Sequence, residues 1–128
     1  MQKLGVQNGQ LTQCSSKPNC VCSQAKDEAH FIEPILSKGT QKQTKDRLVA
    51  ILNAEKRVKI KAAESDYIKV EFASKIFRFV DDVEFYFPDT GSTERLIQVR
   101  SASRVGYSDL GVNRKRIESI RQQLNSKS

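Results

Sequence analysis

From residue 58 onward, apolar and polar positions alternate with a period of two. Val58, Ile60 and Ala62 alternate with Lys59, Lys61 and Ala63; beyond Ser65-Asp66, Ile68, Val70 and Phe72 alternate with Lys69 and Glu71. This pattern turns one face of a pleated strand to a core and the other to water, so two half-buried strands follow one another. A third, longer strand puts Phe77, Phe79, Asp81, Val83, Phe85 and Phe87 on one face and Arg78, Val80, Asp82, Glu84 and Tyr86 on the other. Asp81 therefore points among apolar side chains. Pro88 to Ser92 is a loop, and residues 96–101 form a fourth strand. Connections this short predict an antiparallel meander. A last hairpin centred near Gly91 places Phe85 opposite Ile97, Val83 opposite Val99, Asp81 opposite Ser101 and Asp82 opposite Arg100.

Helical spacing brackets the strands. Thr40 to Gln43 has the spacing of a capping box, and Leu48, Ile51 and Leu52 then fall on one stripe, predicting a helix over 41–55. A final helix starts at Asn113 as N-cap, with Ile117, Ile120 and Leu124 on its apolar stripe. The predicted fold is α+β: a four-stranded antiparallel β-meander flanked by two helices (helix, four strands, helix), both covering one sheet face. Residues 1–30, rich in Gln, Ser, Asn and Gly, show no hydrophobic period and read as a loop-rich N-terminal arm packed on a single domain over 31–128.

Length fits this plan, since 128 residues hold one core with little room for a second. No apolar run approaches the roughly 18 residues that cross a bilayer, and the first residues lack the apolar stretch of a secretory signal. The expectation is a soluble, cytoplasmic chain without a transmembrane segment.

Charge changes the picture more than composition does. The net charge is +7, but residues 1–94 carry only +1 and residues 95–128 carry +6. Arg114, Lys115 and Arg116 occupy the first helical turn, where the macrodipole is already positive, so something negative belongs nearby. It is supplied either from inside, by Asp81, Asp82, Glu84 and Asp109, or from outside by a ligand. The candidate ligand-binding residues are Arg100, Ser101, Ser103, Arg104, Asn113 and Arg114, a set of guanidinium, hydroxyl and amide donors suited to an anionic small molecule or an acidic protein surface. Asp81 and Asp109 are candidate general bases for a hydrolytic alternative in which arginines hold the substrate. A third alternative makes the ionic cluster purely architectural.

Other chemistries fit less well. Gly106-x4-Gly111 resembles the start of a phosphate-binding loop, but Val112-Asn113 stand where Lys and Ser or Thr belong. The basic C-terminal end suits nucleic acid, yet only Tyr107 is placed for stacking and the phenylalanines fall on the core face. A carboxylate metal site is opposed by the arginines, and Cys14, Cys20, Cys22 with His30 lack common zinc spacing, so no metal or cofactor is expected. A Cys14 to Cys20 disulfide requires an oxidising compartment, and reduced, inert thiols are the expectation. His30, the only histidine, reads as a satisfied structural residue.

Three segments carry a family likeness: residues 14–23, CSSKPNCVCS; residues 77–85, FRFVDDVEF; and residues 100–116, RSASRVGYSDLGVNRKR. Together they resemble the signature blocks of domain of unknown function 1499, a family with no established activity. The resemblance implies that the family's pair of cysteines maps onto Cys14 and Cys20. Cys22 stands where the family usually has Ser, which makes it the unpaired thiol. Members often carry membrane or lipoprotein-type leaders, so the resemblance implies an envelope-associated location as the alternative to the cytoplasm.

Overall fold

The computed structural model describes residues 4–76, 79–89 and 94–126. A short hairpin comes first, β1 (Val6–Gln7) and β2 (Gln10–Leu11). Its turn residues Asn8 and Gly9 have φ of 55° and 75°, the left-handed pair that an Asn-Gly hairpin turn requires. Next come β3 (Cys20–Cys22) and β4 (Ile35–Lys38), then α1 (Gln41–Asn53), β5 (Val58–Ala63), β6 (Tyr67–Ala73), β7 (Val80–Tyr86), β8 (Glu94–Ser103) and α2 (Val112–Ser126).

The predicted meander is β5 to β8, but it is not the whole sheet. The order β3-β8-β7-β6-β5, with β4 also paired to β8, makes six strands, beside the separate β1-β2 hairpin. The four-stranded expectation fails because β8 is not an edge. It is ten residues long. Its first part pairs with β4, Ile35 opposite Ile97, and its last part with β3, Cys22 opposite Arg100. Two short segments thus satisfy backbone groups that would otherwise form an open edge.

The β7-β8 register also differs from expectation. Phe85 faces Val99, Val83 faces Ser101, Asp81 faces Ser103, Asp82 faces Ala102 and Glu84 faces Arg100. The slip is two residues, which leaves every side chain on its expected face while changing its partner. Phe77, Arg78 and the Gly91 turn lie outside the described residues. Phe79 precedes β7 and is 55% exposed, contrary to its expected core position.

Both helices cover one face, as the spacing predicts. Leu48, Ile51 and Leu52 of α1 and Ile117, Ile120 and Leu124 of α2 join Ile68, Val70, Val83, Phe85, Ile97 and Val99 in a single core. α1 begins with the capping box intact: the Gln43 N–H donates to Thr40 Oγ1 at 3.1 Å, and the Thr40 N–H donates to Gln43 Oε1 at 2.9 Å. At α2 the cap is Asp109, whose carboxylate accepts from the Gly111 N–H at 2.8 Å and the Asn113 N–H at 3.1 Å. Asn113 is therefore not the N-cap; it is a buried residue in the first turn.

Candidate functional site

Two polar clusters lie on opposite faces of the same strands. On the face away from the helices, alternation sets Arg100 and Ala102 of β8 beside Asp82 and Glu84 of β7 and Lys69 and Glu71 of β6. Glu84 and Arg100 are both fully buried, with Glu84 Oε1 3.6 Å from Arg100 Nη1. The second Glu84 oxygen accepts from the Tyr67 hydroxyl at 2.6 Å and the Gly5 N–H at 2.8 Å. Burial first, and then the hydrogen bond to Glu84, raises the Tyr67 pKa far above that of an ordinary phenol.

Arg104 sits just beyond β8 and grips Asp82 with both sides of its fork, Nε to Oδ2 at 2.9 Å and Nη2 to Oδ1 at 2.8 Å. The same Nη2 reaches Glu71 Oε2 at 2.6 Å. Hydrogen bonds to Asp82 and then Glu71 raise the Arg104 pKa further, so its charge is permanent. A cleft of about 690 Å³ opens beside this row, lined by Lys17, Lys69, Arg100 and Arg104, with Asp82, Ser15, Asn19 and Ser103 among its other polar walls.

The cleft wall contributed by residues 15–20 is tied at both ends. Cys14 and Cys20 form a disulfide, with Cα atoms 5.7 Å apart. The expectation of reduced thiols is thereby corrected: β3 begins at residue 20 and the chain returns on itself just before it, bringing the two sulfurs together. Bonded sulfurs supply no thiolates, which also closes the Cys₃His zinc alternative. Cys22 is the free thiol and is buried; desolvation raises its pKa and keeps it protonated. His30 holds the same wall through Nε2, 2.9 Å from the Lys17 carbonyl oxygen, while Nδ1 meets Asp27 Oδ2 at 2.5 Å. Both ring nitrogens face acceptors, so the imidazole favours carrying two protons, and its pKa is raised chiefly by the Lys17 carbonyl.

On the helix-side face, Ser101 donates to Asn113 Oδ1 at 2.5 Å, and Asn113 Nδ2 donates to Asp109 Oδ2 at 2.7 Å, Ser103 Oγ at 3.0 Å and the Asn19 carbonyl at 3.2 Å. Arg116 completes the cluster, 2.8 Å from Asp81 and 2.8 Å from Asn113 Oδ1, with its guanidinium 4.6 Å from the centre of the Phe72 ring. The inward carboxylate of Asp81 is thus neutralised from α2. Burial works to raise the Asp109 pKa, but hydrogen bonds from Asn113 and Gly111 outweigh it, and the net shift is downward.

Of the residues that sequence brought forward, Arg100, Ser103 and Arg104 meet at the cleft. Ser101 and Asn113 belong to the other face, and Arg114 points elsewhere, donating to the carbonyls of Phe31 at 2.8 Å and Ala29 at 3.3 Å. Neither Asp81 nor Asp109 lines the cleft. Lys17, Lys69, Tyr67 and Arg116 were not singled out as site residues. The Lys69 position was legible as the polar face of β6; Lys17 arrives only through the disulfide-bound return of the chain.

Residues 10–124 match a family described as a protein of unknown function, DUF1499. The chain belongs to the DUF1499 family. No curated protein matches the sequence. Since the match covers nearly the whole chain, the DUF1499 fold here includes β3, β4 and both polar clusters. No helix among the described residues is long and apolar enough to cross a membrane.

Proposed function

We propose that this DUF1499 domain is a non-catalytic binding module that holds an anionic small molecule in the cleft beside β8. The observation that carries the reading is the charge of the lining: four cations, Lys17, Lys69, Arg100 and Arg104, against one carboxylate, Asp82. The cavity of about 690 Å³ is in the range of small-molecule sites, roughly 300 to 1,000 Å³. Asp82 and Glu84 orient the arginines, while Lys17 is exposed and has no carboxylate within 4 Å among the described residues. Lys17 and Lys69 are then the adaptable contacts and the arginines the fixed ones. The reading of Asp81 or Asp109 as a general base gains no support from this placement.

Titration with inorganic phosphate, nucleotides and dicarboxylates, followed by melting temperature and calorimetry at low and high salt, tests the reading. Saturable binding is expected for at least one, with Lys17→Ala and Lys69→Ala each weakening it by about tenfold. Absence of binding across the panel favours the second reading, in which the row is architectural. The extensive internal pairing of Arg104 and the burial of Glu84 with Arg100 support that alternative.

A further inference from the structure

One end of the sheet carries an unusual surface. The start of β5, the end of β6, the start of β7, the end of β8 and the start of β3 are stitched into a row by backbone bonds: Ala73 to Arg57 at 3.0 Å, Ser74 to Phe79 at 2.8 Å, Arg104 to Val80 at 3.1 Å and Ser103 to Asn19 at 3.0 Å. The N-terminus of α2 joins them through Asn113. Beyond this row stand Ile76 at 78% exposure, Phe79, Val105, Tyr107 at 69%, Leu110 at 87% and Val112. Among the described residues, Leu36 is the one other large apolar side chain so exposed.

Leu110 also adopts φ of 55°, a left-handed conformation in which Gly or Asn is far cheaper than Leu. A costly backbone holds a large apolar side chain in water. Arg57, Lys75 and Lys115 surround these loops, each exposed and with no carboxylate within 4 Å among the described residues. The nearby acids are engaged inside the domain: Asp81 with Arg116, Asp82 and Glu71 with Arg104, Asp109 at the start of α2. Glu55 and Lys56 beside Arg57 cancel.

We propose that this end of the sheet docks on an anionic phospholipid surface, with the apolar side chains entering the headgroup boundary and Arg57, Lys75 and Lys115 meeting lipid phosphates. Charge complementarity favours this occupant, because the free charges around the loops are cationic. Shape favours it as well. The side chains project from two loops, Ile76 and Phe79 between β6 and β7 and Val105, Tyr107 and Leu110 between β8 and α2. A fluid headgroup layer accommodates such spaced side chains, whereas a folded partner would need a pit for each. The proposal is independent of the cleft.

The full chain is sedimented with vesicles of phosphatidylcholine alone and of phosphatidylcholine mixed with phosphatidylglycerol. Binding to the mixed vesicles at low salt is expected, weakening as salt rises. Phe79→Ser with Leu110→Asn is expected to weaken it at least roughly tenfold, as is Lys75→Glu with Lys115→Glu, while melting stays near that of the parent. Leu110→Asn relaxes the backbone, so the fold is not endangered by that change. The sequence has no Trp, so Tyr107→Trp provides a single reporter whose emission should shift to the blue on the mixed vesicles. No binding to the mixed vesicles, equal binding to the neutral ones, binding unaffected by the apolar variant, or a stable dimer covering these loops would each overturn the proposal.

Discussion

Replacing Arg100 by Met tests whether Glu84 depends on it. Both side chains are fully buried and their charged atoms are 3.6 Å apart. At an effective dielectric constant of about 20, that separation corresponds to an attraction of about 4.5 kcal/mol. Arg100→Met removes it and leaves a buried carboxylate held by two neutral donors, the Tyr67 hydroxyl and the Gly5 N–H. The expected loss is about 3 to 5 kcal/mol, typical of breaking a buried pair from one side. For a domain of 128 residues, this lowers the melting temperature by about 11 to 19 °C. Glu84→Gln keeps an oxygen that accepts from Tyr67, so in the Arg100→Met background it should recover much of the loss. Urea and thermal unfolding of the parent, both single variants and the double variant give the coupling directly, expected at about 2 kcal/mol or more. A coupling below about 0.5 kcal/mol, or a loss below about 1 kcal/mol in Arg100→Met, would refute the account of this pair.

Two further outcomes follow from the caps and ties. Cys14 and Cys20 close a loop with a sequence separation of 6, so reduction, or Cys14→Ser with Cys20→Ser, should cost about 2 kcal/mol by loop-closure entropy, read as a lower melting temperature. Asp109→Asn keeps an acceptor oxygen and removes only the charge, so it should destabilise the start of α2 by about 0.3 to 1 kcal/mol at neutral pH. Because the folded-state pKa of Asp109 is depressed, its contribution is present above the unfolded value of 3.8 and disappears as pH falls through the folded one. Parent and Asp109→Asn should accordingly converge in stability at acid pH, measured by urea unfolding along a pH series.

The alternation of residues 58–73 and the stripe of α2 were legible because each follows from local geometry: a strand has period two, and a helix brings residues three and four apart onto one face. The inward Asp81 was visible for the same reason. Its partner was not, because Arg116 reaches it only after α2 has packed on the sheet. The register was illegible because a slip of two residues preserves the whole face pattern, so alternation fixes orientation and leaves pairing to the turn. The first hairpin was missed: reading residues 1–30 as a loop-rich arm passed over Asn8-Gly9, a turn signal in a segment without hydrophobic period.

By itself, the sequence determined the α+β class, the positions of the two helices and four principal strands, the orientation of the acidic strand, and the basic C-terminal end. Only the tertiary structure decided that β3 and β4 complete the sheet, that Cys14 meets Cys20, and that the arginines separate among different partners. Local periodicity reports which way a side chain points, since neighbouring residues set it. Which residue it meets depends on chain segments remote in sequence, and these are brought together only when the core closes.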